Sequence, residues 1–233
     1  MLVVAGTWVD ELYSIRGTKM KGYEIRKIKY NDTKDFILNK HYAQRMPSIS
    51  FAYGLFKGDC MVGVLTIGKP ASNSLCRGVC GPENAHKVYE LNRLITEDNL
   101  PKNTLSFFVG GVLKKLKGEN LVIVSYADTG AGHNGYIYQA TNFIYTGKTK
   151  QRTDKYTEGN KHSRHYTNEN NHLRKVRTSK HRYIYFTNNK KDWLKALKYP
   201  IKEFPKGDNK NYVLGDRLKT TVINKETGEM TYV

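Results

Sequence analysis

The sequence feature that most constrains the fold is an apolar run, Leu121–Tyr126, which ends in Ala127 and Asp128. A strand that is apolar on both faces has to be covered on both sides, as in the sheets of α/β proteins. The segment before it offers such a cover, because apolar residues recur at helical spacing from Leu105 to Leu116. Together the two segments predict a central strand with a helix packed against it.

The rest of the chain alternates between strand-like and helix-like patterns and predicts a mixed sheet flanked by helices. Strands are expected at residues 23–30, 49–56, 60–67, 87–95, 143–145 and 181–186. Helices are expected at residues 34–39, 104–116, 135–141 and 191–198. Residues 68–85 predict a loop and residues 1–22 an N-terminal arm, and the tail 206–233 contains an expected hairpin that turns at 225–228.

Net charge is the second constraint, and it concerns the partner rather than the fold. The chain carries 39 Lys and Arg against 21 Asp and Glu, which gives a formal net charge of +18. Folding does not require such an excess, which is typical of proteins with a polyanionic partner. Three cysteines cannot all pair within one chain, and no apolar run approaches the length of a membrane span. We therefore expect a cytoplasmic protein without a membrane partner.

The positive charge is concentrated in residues 148–198, which hold 15 Lys and Arg against 4 Asp and Glu. Aromatic rings are interspersed among these cations, and rings can stack on an extruded base while cations neutralise phosphate. This segment is expected to bind double-stranded DNA, with residues 151–180 forming a solvated loop. The candidate DNA-binding residues are Lys148, Lys150, Arg152, Arg164, Arg174, Lys175, Arg177, Lys180 and Arg182.

Three polar residues at the ends of predicted elements are candidates for chemistry. Asp128 follows the central strand, where open α/β sheets place ligands, although a carboxylate there can equally cap the next turn. His41 and Tyr42 follow a predicted helix. Their imidazole and phenol could bind a metal or move a proton, or simply pack.

Two further candidates suit an anionic group. Arg93 lies in a predicted strand with Glu90, so it either forms an ion pair with that carboxylate or binds a phosphate with both terminal nitrogens. Ser106 lies in the first turn of the predicted helix 104–116, where free backbone amides attract anions.

Two motifs have competing interpretations. Gly130–Gly135 matches the dinucleotide-binding pattern G-x-G-x-x-G, but the helix after it is barely two turns long, which favours a flexible turn beside an active site. Cys76 and Cys80 could form half of a zinc site. The only nearby additional ligands are Cys60 and His86, so a pair of incidental reduced thiols is favoured.

Five separated strings give the most specific signal in the sequence. They are His41-Tyr42-Ala43 with Arg45–Ser50, Glu90–Leu94, Leu105–Val109, Ser125–Thr129 and Gly135–Phe143. In this order they resemble the Mom family of bacteriophage DNA-adenine modification proteins, over residues 23–205. The succession of elements also resembles the GNAT acyltransferase fold. The resemblance implies an α/β, GNAT-like catalytic domain with a mixed central sheet, a basic insertion and a C-terminal hairpin tail.

The resemblance to the Mom family also implies a function. The expected product is N6-(methylcarbamoyl)adenine in duplex DNA, which protects phage DNA from host restriction, and the expected cofactors are iron and acetyl coenzyme A as the small-molecule donor. The implied metal ligands are His41, Tyr42 and Asp128. The implied donor-binding residues are Arg93 and Ser106. The implied catalytic residues are Tyr42, Arg93, Ser106, Asp128 and Tyr138.

The sequence departs from ordinary GNAT enzymes at one place. Their pyrophosphate loop, Gln/Arg-x-x-Gly-x-Gly/Ala, is missing between Ile95 and Ser106. Two other functions therefore stay open. A GNAT N-acetyltransferase acting on another amine would need neither DNA nor iron. A non-catalytic basic DNA-binding protein would bind DNA with a steep salt dependence and leave its bases unchanged.

Overall fold

A computed structural model describes residues 20–158, 165–207, 214–215 and 219–233, so most of the expected N-terminal arm lies outside it. The strands are β1 (Tyr23–Lys27), β2 (Phe51–Lys57), β3 (Cys60–Gly68), β4 (Val88–Thr96), β5 (Val122–Asp128), β6 (Ile144–Lys148), β7 (Arg152–Lys155), β8 (Leu173–Arg177), β9 (Lys180–Phe186), β10 (Thr221–Asn224) and β11 (Met230–Tyr232). The α-helices are α1 (Asn73–Cys80), α2 (Thr104–Lys115), α3 (Tyr136–Ala140) and α4 (Lys190–Ala196).

The main sheet has seven strands in the order β1-β2-β3-β4-β5-β9-β6. Neighbouring strands in this sheet pair antiparallel, except β4 and β5, which pair parallel. Helices cover both faces: α2 packs in one apolar cluster with alternate residues of the sheet, and α1 and α4 pack in another. The expected fold class, a mixed α/β sheet flanked by helices, is confirmed.

The predicted central strand is buried on both faces. Val122, Ile123 and Val124 of β5 have no solvent exposure. Ile123 belongs to the cluster under α2, whereas Val122 and Val124 belong to the cluster with α1 and α4. The apolar run therefore reflects a strand between two layers of helices, as expected.

The two parallel strands pair over only part of their length. Their register runs from Val88 opposite Val122 to Leu91 opposite Ser125 and extends no further. On its other side, β4 has a bulge, because the register with β3 shifts where Asn92 is the extra residue. A bulge bends a strand and re-aims its side chains. The ends of β4 and β5 therefore separate, and a cleft opens between them.

A second sheet of four strands has the order β11-β10-β8-β7. The expected solvated loop at 151–180 is wrong in this respect, because β7 and β8 form a hairpin within it. The expected C-terminal hairpin is present as β10 and β11, and β10 pairs with β8. Its Val222 is only 2% exposed. The tail thus gives the basic hairpin the apolar partner that its own sequence lacks.

Two other local expectations need correction. Residues 68–85 contain α1, whose first turn is capped by Ser72 Oγ accepting from the Leu75 N–H. The buried side of this helix is formed by Cys76, Val79 and Cys80. Their spacing is helical, but cysteine and glycine residues in the segment make the pattern hard to recognise in the sequence. The helix expected at 34–39 is a π-helical turn, Phe36–Lys40. No helix in the described ranges is long and apolar enough to cross a membrane.

Candidate functional site

A cleft of about 440 Å³ lies where β4 and β5 separate. Such a volume is typical of small-ligand sites. It is lined by the loop after the π-helical turn, the second half of β4, the start of α2, the end of β5 and α3. The side chains of greatest chemical interest in it are His41, Tyr42, Glu90, Arg93, Tyr126, His133, Tyr138 and Lys180.

Glu90 is one of three carboxylates that line this cleft, with Glu97 and Asp98, and the sequence did not single it out for chemistry. It is half-buried on β4, and burial raises its pKa, while the charges of Lys180 and Arg93 act in the opposite direction. Across the described ranges, no hydrogen bond or ion pair involves this carboxylate. A carboxylate with a raised pKa and unused acceptor oxygens is suited to receive a proton or an N–H hydrogen bond.

An ion pair between Glu90 and Arg93, one of the two roles left open for Arg93, is not found in the described part of the chain. The Arg93 guanidinium instead donates to two carbonyls, from Nη1 to Asn92 at 2.6 Å and from Nη2 to Arg45 at 2.8 Å. Its Nε is buried and has no partner among the described residues. Arg93 therefore holds the loop that carries Arg45 against the strand bulge and keeps one donor for a ligand.

His41 is fixed as a neutral imidazole. It is 4% exposed, and its Nδ1 accepts from the Ala43 N–H at 2.9 Å. Burial, followed by the charges of Arg93, His133 and Lys180, lowers its pKa to about 3. With Nδ1 accepting, the single proton resides on Nε2, so His41 acts as a donor there. Its ring stacks on Tyr42 with centroids 4.2 Å apart.

Both oxygens of Asp128 are engaged by the protein. Oδ1 accepts from the Gly130 N–H at 2.9 Å and from Thr178 Oγ1 at 2.5 Å, and Oδ2 lies 3.0 Å from Lys180 Nζ. Burial tends to raise the pKa of Asp128, but Lys180 and the hydrogen bonds outweigh it and the net pKa is lowered. The carboxylate therefore caps a turn and anchors Lys180, which lines the cleft.

Tyr138 and Ser106 differ in their relation to the cleft. Tyr138 lines it, packs against Phe143 and Tyr183 with ring centroids 5.2 Å away in each case, and is hydrogen-bonded to Ser125. Burial raises its pKa, so the phenol keeps its proton at neutral pH. Ser106 is not among the lining residues, and its Oγ donates to the Asn103 carbonyl at 3.0 Å.

The described residues do not fit the expected iron site. Within the ranges that the structure covers, no group of three or more His, Cys, Asp or Glu side chains is placed to hold a metal. Both carboxylate oxygens of Asp128 already contact protein donors. The Nδ1 atom of His41 accepts a hydrogen bond from the Ala43 N–H, and its Nε2 atom carries the proton of the neutral ring. Iron ligation by His41, Tyr42 and Asp128 thus finds no support in this arrangement.

The glycine-rich motif forms a turn beside the cleft, as favoured. Gly132 and Gly135 have positive φ angles of 69° and 78°, and the helix that follows, α3, has only five residues. The strands before and after this helix, β5 and β6, are not neighbours, because β9 lies between them and pairs antiparallel with both. The parallel strand–helix–strand unit of a dinucleotide site is therefore not formed around this motif.

Several of the expected DNA-binding residues have protein partners. Asp154 lies 3.0 Å from Arg177 and 3.9 Å from Arg152, and Lys180 is paired with Asp128. The Arg182 guanidinium lies over the Tyr199 ring, 3.4 Å from its centroid.

The other expected DNA-binding residues differ in exposure. Lys148 and Lys150 are exposed, whereas Arg174 and Lys175 are half-buried. Burial lowers the pKa of Lys175. Arg164 lies outside the described residues.

A mixed sheet flanked by helices, with a cleft where its two parallel strands separate, defines an α/β protein with a candidate site at that cleft. The model of the Mom protein family matches residues 22–206, and the chain therefore belongs to that family. A curated relative is the methylcarbamoylase Mom of Escherichia phage Mu, 31% identical over 118 residues. The match covers 49% of this chain and 49% of the relative, so it spans about half the length of that protein.

The comparison with solved structures returns acetyltransferases, at TM-scores below 0.5. One is an N-acetyltransferase from Staphylococcus aureus Mu50, with a TM-score of 0.44 and 10% identity, covering 71% of this chain and 97% of that one. Another is the ribosomal-protein-S5-alanine acetyltransferase from Vibrio fischeri, with a TM-score of 0.45 and 11% identity, covering 73% and 96%. These similarities concern the fold alone.

Proposed function

We propose that this chain modifies adenine at its N6 amine in duplex DNA, forming N6-(methylcarbamoyl)adenine, and so protects phage DNA from restriction in the host cytoplasm. The observation that carries the proposal is the family match over residues 22–206, which includes the entire cleft except Leu214. The name of the phage Mu relative, a methylcarbamoylase, points to the same transfer.

The target adenine has to leave the base stack, because the N6 atom is not accessible to an enclosed cleft while the base is paired. A cleft of about 440 Å³ is large enough for a nucleobase. Burial of the polar side chains around it excludes water and strengthens their hydrogen bonds. The basic segment 148–198 supplies the affinity for the phosphate backbone.

Glu90 is the group best placed to act on the amine. The adenine amine is a poor nucleophile because its lone pair is delocalised into the ring, and an acceptor for its proton improves it. Glu90 has a raised pKa and free acceptor oxygens in the cleft. Tyr138 and the Nε2–H of His41 offer neutral donors around the same space. Asp128 acts through Lys180, which it holds at the cleft wall.

The start of α2 fits the phosphates of acetyl coenzyme A. Thr104 and Leu105 line the cleft, and the first turn of the helix has no side-chain cap. The Thr104 N–H donates to the Pro101 carbonyl at 3.2 Å, which leaves the amides of Leu105 and Ser106 to meet an anion. Arg93 lines the same cleft, and its buried Nε has no partner among the described residues. When bound, acetyl coenzyme A would supply an acetyl group activated as a thioester; transfer of that group alone gives N6-acetyladenine, so the nitrogen of the methylcarbamoyl group has to come from a second donor. Ser106, whose hydroxyl is used within the helix, acts here only through its backbone amide.

Nucleoside mass spectrometry tests the proposal. Plasmid DNA from cells that express the chain should contain deoxyadenosine carrying the methylcarbamoyl group. Glu90→Gln should lose most of this product, whereas Glu119→Gln, at an exposed carboxylate away from the cleft, should keep it. Unmodified DNA with a folded, DNA-binding protein would favour the non-catalytic function. Acetylation of another amine without DNA would favour an ordinary GNAT acetyltransferase.

A further inference from the structure

The hairpin of β7 and β8 places cations directly opposite each other at two positions. Arg152 faces Arg177, and Lys155 faces Arg174. Like charges at directly opposed positions of antiparallel strands repel and destabilise the pair. Each of these positions therefore needs a compensating anion, either from the protein or from a partner.

The two positions differ in how they are compensated. Asp154 lies between Arg152 and Arg177, 3.9 Å from the first and 3.0 Å from the second. Neither Lys155 nor Arg174 has a carboxylate within 4.0 Å in the part of the chain that the structure describes. The repulsion between Lys155 and Arg174 is thus left without an internal anion.

Tyr166 completes this uncompensated pair. Lys155 Nζ lies 3.2 Å from the centroid of its ring, which is a cation–π contact. The hydrogen bond from Lys155 and the charges of Lys155 and Arg174 lower the pKa of this phenol, although Tyr166 is exposed. Two half-buried cations and one exposed phenol therefore lie together, and within the described ranges no carboxylate lies within 4.0 Å of either cation.

The uncompensated pair lies on the outward side of the small sheet. Side chains of neighbouring residues alternate between the faces of a strand, so Lys155 and Arg174 lie opposite the face of Arg152 and Arg177. On the face of Arg174, the next residue across the sheet is Ile223 of β10, and the one after it is Met230 of β11. Met230 is 62% exposed, so this face is open to solvent. The other face continues to Val222, which is buried.

The small sheet meets the main sheet through other residues. Thr178, the residue after β8, hydrogen-bonds to Asp128 at the end of β5. Lys175, whose side chain lies on the face opposite to that of Arg174, feels the charge of Arg45, whose carbonyl is held by Arg93. Lys155 and Arg174 therefore lie on the face of the small sheet that is left open to a partner.

We propose that Lys155, Arg174 and Tyr166 form a phosphate-binding site for the backbone of duplex DNA. The choice of DNA as the polyanion rests on the proposed function. The binding site itself rests on the uncompensated cross-strand pair and on its outward direction. Two phosphates, or one phosphate between the two cations, supply the anion that the protein does not.

The salt dependence of DNA binding tests this site. A fluorescently labelled duplex is titrated with the full chain by anisotropy, between about 50 and about 200 mM KCl. Each lost phosphate contact lowers the slope of log Kd against log salt by about 0.9. Lys155→Gln with Arg174→Gln should therefore lower the slope by about 2. The matched control, Lys114→Gln with Lys115→Gln at the exposed end of α2, should leave it unchanged.

The outcomes separate this site from the proposed function. An unchanged slope in the Lys155 and Arg174 variant, an equal fall in the control, or a wild-type protein that does not bind duplex DNA would each overturn the site. Wild-type protein that shows the expected slopes but leaves adenine unmodified would contradict the proposed function and support the site. Circular dichroism verifies folding, and the variant should be at least as stable as the wild type because a repulsion is removed.

Discussion

Burial of His41 makes the free energy of unfolding depend on pH in a way that can be worked out. Burial lowers its pKa from 6.5 to about 3 in the folded protein. A group whose folded pKa is lowered contributes stability above its unfolded pKa, and that stability is lost as the pH falls toward the folded value. The loss therefore begins near pH 6.5 and continues to about pH 3. At about pH 5, protonation favours the unfolded chain by about 2 kcal/mol.

Urea unfolding at about pH 7.5 and about pH 5, in the presence of a chelator, measures this contribution. His41→Gln is the matched variant, because its amide oxygen can accept from the Ala43 N–H in place of Nδ1. The wild type should lose about 2 kcal/mol more than the variant on acidification. Other titrating groups, such as His181, act in both proteins and cancel. A difference below about 0.5 kcal/mol would refute the assignment of His41 as a buried neutral imidazole.

Two further predictions concern packing and hydrogen bonding in the sheet and its cover. Gly68→Ala should destabilise the protein by about 3 kcal/mol in thermal unfolding, because the new methyl group would overlap the Ser48 carbonyl. The control Gly118→Ala, whose methyl group meets open space, should change stability by less than about 0.5 kcal/mol in the same assay. Trp193→Phe removes an indole donor 2.9 Å from Asn120 Oδ1 and should cost about 1 kcal/mol in urea unfolding.

The parts of the fold that the sequence predicts well are those whose signal is local. The apolar run Leu121–Tyr126 and the apolar stripe of α2 can each be recognised from a short continuous segment of sequence, and that segment also shows which side is buried. The expected loop at 151–180 was wrong because β7 and β8 depend on a hairpin more than 40 residues later for their apolar neighbour. Helix α1 was missed because cysteines provide its apolar side.

The candidate site is less predictable, because its electrostatics arise from contacts distant in sequence. The sequence offered Glu90 only as the partner in one of two roles for Arg93, whereas in the structure it is half-buried at a position of β4 that pairs with Val124 of β5. The sequence left two roles open for Asp128. The structure shows the capping of the turn at Gly130 together with an ion pair to Lys180, fifty-two residues away.

The hairpin of β10 and β11 has a practical consequence for anyone who shortens this chain. The family match ends at residue 206, before the hairpin begins. A fragment cut at that boundary would keep the whole cleft except Leu214 but leave β8 as an open edge strand. Open edges with unpaired amides and carbonyls template pairing between molecules. Such a fragment should aggregate at concentrations where the full chain stays dispersed, so homology alone is a poor guide to where this protein can be cut.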